Sequence, residues 1–374
     1  MYIQQVDTFP LLYRIAKPYG DANGLKEYRS CYIIRITTQD GVHGWGECID
    51  WLPTLHLGFE KRIIPYLIGQ SVQQHTMIVQ TIKKWHHRAA SAVSMALMDL
   101  LAQYAQVHLT DLYGGMLREN IPVYASFQSY SDQTDWMNLS LRKIEQTLQN
   151  NYSMLKVKIG GRSLKEDQAH IKQCMDLMSG QDVQLAVDAN QSYDLSTAKR
   201  WTTLFEQYEQ WLWFEEPLPL NDIIGYQALN AALSLPIAAG ENLTQAPDFI
   251  PLLSKVGVDI FQPDIGHHEG LDEYRTTVNM VRAHGRRVSP HAFDGGLSLL
   301  HALCIQCCLP SSSKMGGDDI EPVEWDVMEN PFHDLIPIKP RNGVVHVPKG
   351  IGLGVELNQK LLQQYAWDGS LYQA

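Results

Sequence analysis

The chain lacks a leader-like start. MYIQQVDTFPLLYRIAKPYG has no basic cluster ahead of a long apolar core, so no signal peptide is expected. It lacks any run of about 18 uncharged apolar residues, so no membrane span is expected. It is poor in basic charge, with 30 Lys and Arg against 41 Asp and Glu and a formal charge of −11. Neither the basic footprint of a nucleic-acid binder nor a polybasic membrane patch is present. Cysteine is sparse: Cys31, Cys48 and Cys174, then Cys304, Cys307 and Cys308 in the apolar run ALCIQCCLP. No further ligands stand at metal-binding spacing around them, so they read as buried thiols of a cytoplasmic protein. GxSxG elbows and Walker-type loops are missing. Gly350-Ile-Gly352-Leu-Gly354 has part of a dinucleotide-binding spacing, without the strand–turn–helix context or the later acidic residue.

What is there is alternation. The first ~120 residues read as α+β: CYIIRITT and VHGWGEC flank a Gln39-Asp40-Gly41 turn as a hairpin, and a helix follows in ASAVSMALMDLLAQYA. Ala92, Met95, Ala96 and Asp99 lie on or beside one face of that helix, and Gly114-Gly115 closes the region. From Ile121 onward, short apolar runs alternate with amphipathic helices such as SLKEDQAHIKQCMDLM, the pattern of βαβ units. The runs are IPVYAS, MLKVK, QLAVD, WLWFE, LPIAAGE, DIFQPD, RRVSPH and EPVEW. Eight strands with helices between them suit a parallel barrel of the TIM type. The division expected is 1–120, 121–326 and a tail, 327–374, that packs back on the first region.

A parallel barrel gathers the C-terminal ends of its strands at one mouth. Here those ends carry Lys156 and Lys158, Asp188, Glu215, Glu241, Asp264, His291 and Glu324. Each carboxylate alone reads as a strand-end helix cap. Three together would repel in a partly desolvated mouth, and a divalent cation resolves this; an oxygen-only set suits Mg²⁺. Asp188, Glu215 and Glu241 are therefore candidate metal ligands, with Asn190 and Glu216 as orienting neighbours. Lys156 and Lys158, two apart on one strand, point the same way; each is expected to lower the other's pKa toward neutrality, as a base requires. Asp264 can fix the tautomer of His291, although a satisfied buried histidine beside an unrelated carboxylate has the same signature. His267 and His268 lie near the mouth. Glu324, if protonated, could donate to a substrate carboxylate.

In these motifs the chain resembles the enolase superfamily, and within it the mandelate racemase subgroup. The match runs over nearly the whole length, through GWGE, AVSMALMDL, Leu112-Tyr113-Gly114-Gly115, KVK, VDANQSYD, WFEEPL, AAGEN and QPD, with His291 and Glu324. Glu in GEN, and His291 with Asp264 in place of a sixth-strand lysine, point to the subgroup. The resemblance implies an α/β fold, a modified (β/α)₇β barrel under an α+β capping domain completed by the C-terminal tail. It implies one Mg²⁺ on Asp188, Glu215 and Glu241, and abstraction of the proton α to a carboxylate by Lys158 or His291. By the same resemblance Asp264 supports His291, Lys156 helps bind the carboxylate and depresses the Lys158 pKa, and Glu324 bridges to the enediolate. The expected partner is a small carboxylate, a sugar acid, taken by a homo-oligomer.

Specificity is expected in two capping segments, residues 18–24 and 48–56. Tyr19, Asp21, Asn23, Asp50, Trp51 and His56 are the candidate contacts there. Their polarity favours a polyhydroxy acid over an aryl one. An acid-sugar dehydratase is the leading expectation and a racemase or epimerase the alternative within enzymes. A non-catalytic ligand-binding barrel is the alternative of another class.

Overall fold

The protein is described by a computed structural model covering residues 1–293 and 295–372. Its N-terminal part is a four-stranded antiparallel sheet in the order β3-β2-β1-β5, built from β1 (Ile3–Asp21), β2 (Gly24–Thr38), β3 (His43–Cys48) and β5 (Tyr130–Ser131). The β2–β3 hairpin forms as its turn signal predicts, pairing Thr37 with His43. β1 was not legible: Pro10 and Pro18 and the near absence of alternation disguise a 19-residue strand whose pairing slips between Arg14 and Tyr19. In consequence PYGDANG is not a free loop but the tip of the β1–β2 hairpin, where Asp21 pairs with Gly24 and its Oδ1 accepts the Asn23 N–H at 2.8 Å.

Helix His87–Ala105 packs across this sheet, with Ala92, Met95, Ala96 and Asp99 all buried. The two glycines of GWGE explain how close it comes. A Cβ on Gly46 would stand 1.9 Å from the Ala92 carbonyl oxygen, and one on Gly44 2.2 Å from that of Ala96. Asp99 then receives the Trp45 N–H at 3.2 Å and the Leu353 N–H at 3.1 Å. Gly352, at φ +67, has no room for a side chain beside that carboxylate, which accounts for the glycine-spaced segment without any nucleotide.

All eight expected runs form parallel strands: β4 (Asn120–Ser126), β6 (Met154–Lys158), β7 (Gln184–Asp188), β8 (Trp211–Glu215), β9 (Ile237–Ala239), β10 (Ile260–Phe261), β11 (Arg287–Val288) and β12 (Val323–Asp326). Their order is β11-β10-β9-β8-β7-β6-β4-β12. The two ends approach each other: the Glu324 N–H donates to the Pro290 carbonyl at 3.2 Å, and Ser289 Oγ to that of Pro322 at 2.6 Å. Helices connect each strand to the next around the sheet, giving the modified (β/α)₇β barrel under an α+β cap. In the tail, β13 (Val344–His346) pairs antiparallel with β4, while Tyr365 and Trp367 hydrogen-bond to Leu12 and Pro10 of β1. No helix among the described residues is long and apolar enough to cross a membrane.

Candidate active site

A cavity of about 420 Å³ lies between the barrel mouth and the capping sheet. Lys158, Asn190, Glu241, Asp264 and His291 line its floor, and the cap contributes Asp21, Asn23 and Glu47 among others. Single oxygens of Asp188, Glu215 and Glu241 lie within 4.8 Å of one another, from the ends of three adjacent strands. Their donors are distributed. Trp213 Nε1 and Gln262 Nε2 donate to Glu215 at 2.7 and 2.6 Å, and the Asn190 N–H to Asp188 at 2.9 Å. Asn190 and Glu216 sit at φ 43 and 36, left-handed backbone that turns the chain sharply after each strand. Glu216 is held by Gln191 at 2.9 Å, with Asn242 at 3.5 Å. Among the described residues, Asn190 Oδ1 and Glu216 Oε1 are buried without a hydrogen-bond partner, and the His291 ring nitrogen lies 3.3 Å from Glu241 Oε2.

Both lysines point inward, as their spacing requires. Lys156 is wholly buried, at 2.5 Å from Glu215, 2.9 Å from Glu324 and 3.5 Å from Asp188. Lys158 pairs with Asp188 and is the one that reaches the cavity. The expected fall in their pKa values is not found in this arrangement of charges. Burial lowers both, and Lys156 lowers Lys158 further, but the carboxylates outweigh these effects. Glu215 and Glu324 hold Lys156 well above its ordinary value, and Asp188 does the same for Lys158. Each lysine is in contact with a carboxylate, so attraction dominates over the repulsion between the lysines. Reciprocally, burial raises Asp188, yet Lys158 and Lys156 bring it well below the carboxylate range. Glu215 is pushed up to about 8, by burial first. Burial, then Glu241 and Asp188, drives Glu216 well above its ordinary value.

His291 Nδ1 faces Asp264 Oδ2 at 2.5 Å, leaving Nε2 toward Glu241 and Glu324, each at 3.3 Å. Burial works to lower the His291 pKa, but Glu324, Glu241 and Asp264 raise it to about 10. Asp264 is held at about 2: burial opposes ionisation, and His267 and His291 overcome it. Glu324 differs from the protonated donor expected. Burial raises it, but Lys156 and His291 bring it down to about 2, and its Oε2 accepts the Ala292 N–H at 3.1 Å. His267 lines the cavity with its Nδ1 on the Glu241 carbonyl at 2.8 Å. His268 does not reach it; its ring is buried between the Asp264 carbonyl and Thr277 Oγ1.

Of the six candidates in the cap, Asp21 and Asn23 line the cavity. Tyr19, Asp50, Trp51 and His56 lie outside its wall. Tyr19 is turned into the protein, where its hydroxyl donates to the Glu329 carbonyl and accepts from Arg29. Asp50 is engaged by His86 and the Trp51 N–H, Trp51 by the Tyr372 carbonyl, and His56 by Tyr32 and Glu60. Lining residues that carried no local signal include Gln128, Arg88 and, from the tail, Tyr372. They reach the cavity only through long-range packing. Glu47 does so as well, although its place in GWGEC was visible.

The chain matches two family models. "Mandelate racemase / muconate lactonizing enzyme, N-terminal domain" covers residues 5–114, and "Enolase C-terminal domain-like" covers residues 140–361. It is 27% identical to the D-galactarolactone cycloisomerase of Agrobacterium fabrum over 98% of this chain and 99% of that one. It is also 27% identical to the arabinonate dehydratase of Saccharolobus solfataricus, over 97% and 99%. A racemase from Streptomyces coelicolor A3(2) with bound magnesium shares the fold, with a TM-score of 0.84 at 22% identity over 98% of this chain and all of that one. With both parts of the chain matched and the eight strand ends placed as described, this protein belongs to the mandelate racemase subgroup of the enolase superfamily, and is an enzyme of the lyase or isomerase kind.

Proposed function

We propose that this enzyme abstracts the proton α to the carboxylate of an acid sugar, and that it is a dehydratase yielding a 2-keto-3-deoxy sugar acid. The observation that carries the reading is the placement of two bases about one carboxylate cluster. Lys158 comes from β6, on one side of the triad strands, and contacts Asp188; His291 follows β11, on the other side, and faces Glu241. A substrate α-carbon above the triad lies between them.

Asp188, Glu215 and Glu241 fit one Mg²⁺. The donors are all oxygen, they converge, and Glu241 Oε2, Asn190 Oδ1 and Glu216 Oε1 are buried with no hydrogen bond among the described residues. When bound, Mg²⁺ supplies Lewis-acid stabilisation of the charge that develops on the substrate carboxylate as the α-proton leaves. The side chains do the rest. With Asp188 engaged by the cation, Lys158 would lose the carboxylate that holds its proton, and its free amine takes the proton from the α-carbon. Asp264 holds His291 with Nε2 toward the cavity, so the imidazolium can give its proton to the departing β-hydroxyl, which leaves as water. The resulting enol tautomerises to the 2-keto acid. Lys156, beneath the floor, balances the charge of Glu215 and Glu324.

In this reading residues 1–120 form the cap, 121–326 the barrel and 327–374 the returning segment, in a cytoplasmic homo-oligomer. The polar cap residues Asp21 and Asn23 support a hydroxylated substrate. Proton transfer between the same two bases, without loss of water, would make the enzyme a racemase or epimerase, and the relation to a cycloisomerase keeps the isomerase outcome in view. The test is incubation with a panel of mono- and diacid sugars in D₂O. Proton NMR reads exchange at the α-carbon and a colorimetric assay reads 2-keto acid. Absence of both with every acid, with Mg²⁺ present, would reject the reading; exchange without keto acid would move it to racemisation.

A further inference from the structure

Helix Leu297–Gln306 begins six residues after His291, and among the described residues before it none caps it with a side chain. Gly296 stands at its N-cap, and no acidic residue lies in its first turn. Such a start leaves backbone N–H groups without partners. Here they are met by a carboxylate some 250 positions away in sequence. Glu47, at the end of β3 in the capping sheet, accepts from Gly296 N–H at 3.1 Å and Leu297 N–H at 2.8 Å through Oε2. Its Oε1 accepts from Ser298 N–H at 2.8 Å and Ser298 Oγ at 2.6 Å. Glu47 is buried, both it and Ser298 line the cavity, and Gly295 is required beside them: a Cβ there would stand 2.4 Å from Glu47 Oε1.

Residues 291–292 and residues 296–298 are therefore each held in place. At one end the Ala292 N–H is bound to Glu324, and His291 to Asp264. At the other, four hydrogen bonds from residues 296–298 converge on one carboxylate, with Phe293 packed under Lys26 Nζ at 4.9 Å and Arg29 Cζ at 4.6 Å from β2. We propose that Glu47 is a positioning residue for His291: from the cap it anchors the helix that follows the histidine, and so sets how the imidazole is seated over the triad. Seating of the cap and placement of one of the two bases are then a single event. This rests on the proposed role of His291, but the test does not use turnover.

The experiment is carbethoxylation by diethyl pyrocarbonate at fixed pH, with the modified histidines counted by peptide mass spectrometry. His267 lines the same cavity and serves as an internal control. In Glu47→Gln an amide nitrogen replaces one acceptor and faces N–H donors. The rate at His291 should rise about fivefold, the worth of one buried hydrogen bond, while that at His267 changes little. Glu47→Asp keeps both acceptor oxygens and should fall between wild type and Glu47→Gln. Equal rises at both histidines would mean general loosening and would overturn the proposal. So would an unchanged His291 rate in a less stable protein, or Glu47→Asp reacting as fast as Glu47→Gln. Should Glu47→Gln not fold, Ser298→Ala removes one of the four bonds. A selective rise at His291 then supports the proposal, and none overturns it. Lack of α-proton exchange by the wild type would instead reject the reaction, and leaves this outcome separately readable.

Discussion

Replacing Asp264 by Asn tests the seating of His291 from the opposite side. The carboxylate receives His291 Nδ1 at 2.5 Å and the Gly266 N–H at 2.5 Å, with both side chains largely buried. Asn is nearly isosteric, so the cavity should keep its shape. The chemistry changes in two ways. A hydrogen bond to a charged partner contributes about 1.5–3 kcal/mol, which is roughly 10–10²-fold in the ratio of imidazolium to neutral imidazole. The amide can also present N–H to Nδ1, which forces the proton onto Nε2 and removes the lone pair facing the substrate. Together these place the loss in turnover within the about 10²–10⁴-fold typical of losing one acid–base group. The sign with pH follows from the same contact. Asp264 helps raise the His291 pKa, so its removal lowers that pKa, though Glu324 and Glu241 continue to raise it. Wherever His291 acts as base, the acid limb of the rate profile should move to lower pH, while exchange catalysed by Lys158 keeps its profile. The assay is α-proton exchange in D₂O across pH for wild type and variant, with thermal unfolding as a control on the fold. Wild-type turnover in a well-folded Asp264→Asn protein would refute the dyad.

Further outcomes can be checked with the same protein. Asp188→Asn, Glu215→Gln and Glu241→Gln should each abolish turnover and tight Mg²⁺ retention with an intact circular dichroism spectrum; full activity after exhaustive chelation would contradict the ligand assignment. Asp21→Ala with Asn23→Ala should change KM or substrate rank and leave thermal unfolding nearly unmoved, since the pair sits at a hairpin tip where substitutions cost within about 0.5 kcal/mol. His301, fully buried and with no partner for Nε2 among the described residues, has its pKa lowered to about 3 by burial. The unfolded chain therefore takes up a proton below about 6.5 that the folded protein refuses, and stability is lost as pH falls from there toward 3, by up to about 1.4 kcal/mol per pH unit. His301→Leu should flatten the fall in denaturation midpoint below pH 6.5, and an unchanged slope would remove His301 from the acid limb.

Much of the barrel was legible because its signals are local. Each buried run ended in a polar residue, and period-two alternation alone placed Lys156 and Lys158 on one side of β6. The ends of eight parallel strands share a mouth by geometry, so the convergence of Asp188, Glu215, Glu241, His291 and Glu324 followed from strand identity without knowledge of distances. The N-terminal strand was not legible, because its prolines and its slipped pairing erase the periodicity on which such a reading depends. Packing decided the rest. Whether Tyr19, Asp50, Trp51 and His56 face the cavity or the protein interior depends on partners such as Glu329, His86, Tyr372 and Tyr32, up to 321 positions away. The direction of the lysine pKa shifts depends on which charges touch, and a one-dimensional spacing carries the like charge on the same strand but not the carboxylates from neighbouring strands. Glu47 shows the same division. GWGE marks it as a strand end, but only the folded chain brings it to the start of the helix that follows His291, because hydrogen bonds form between neighbours in space and a sequence records neighbours along the chain.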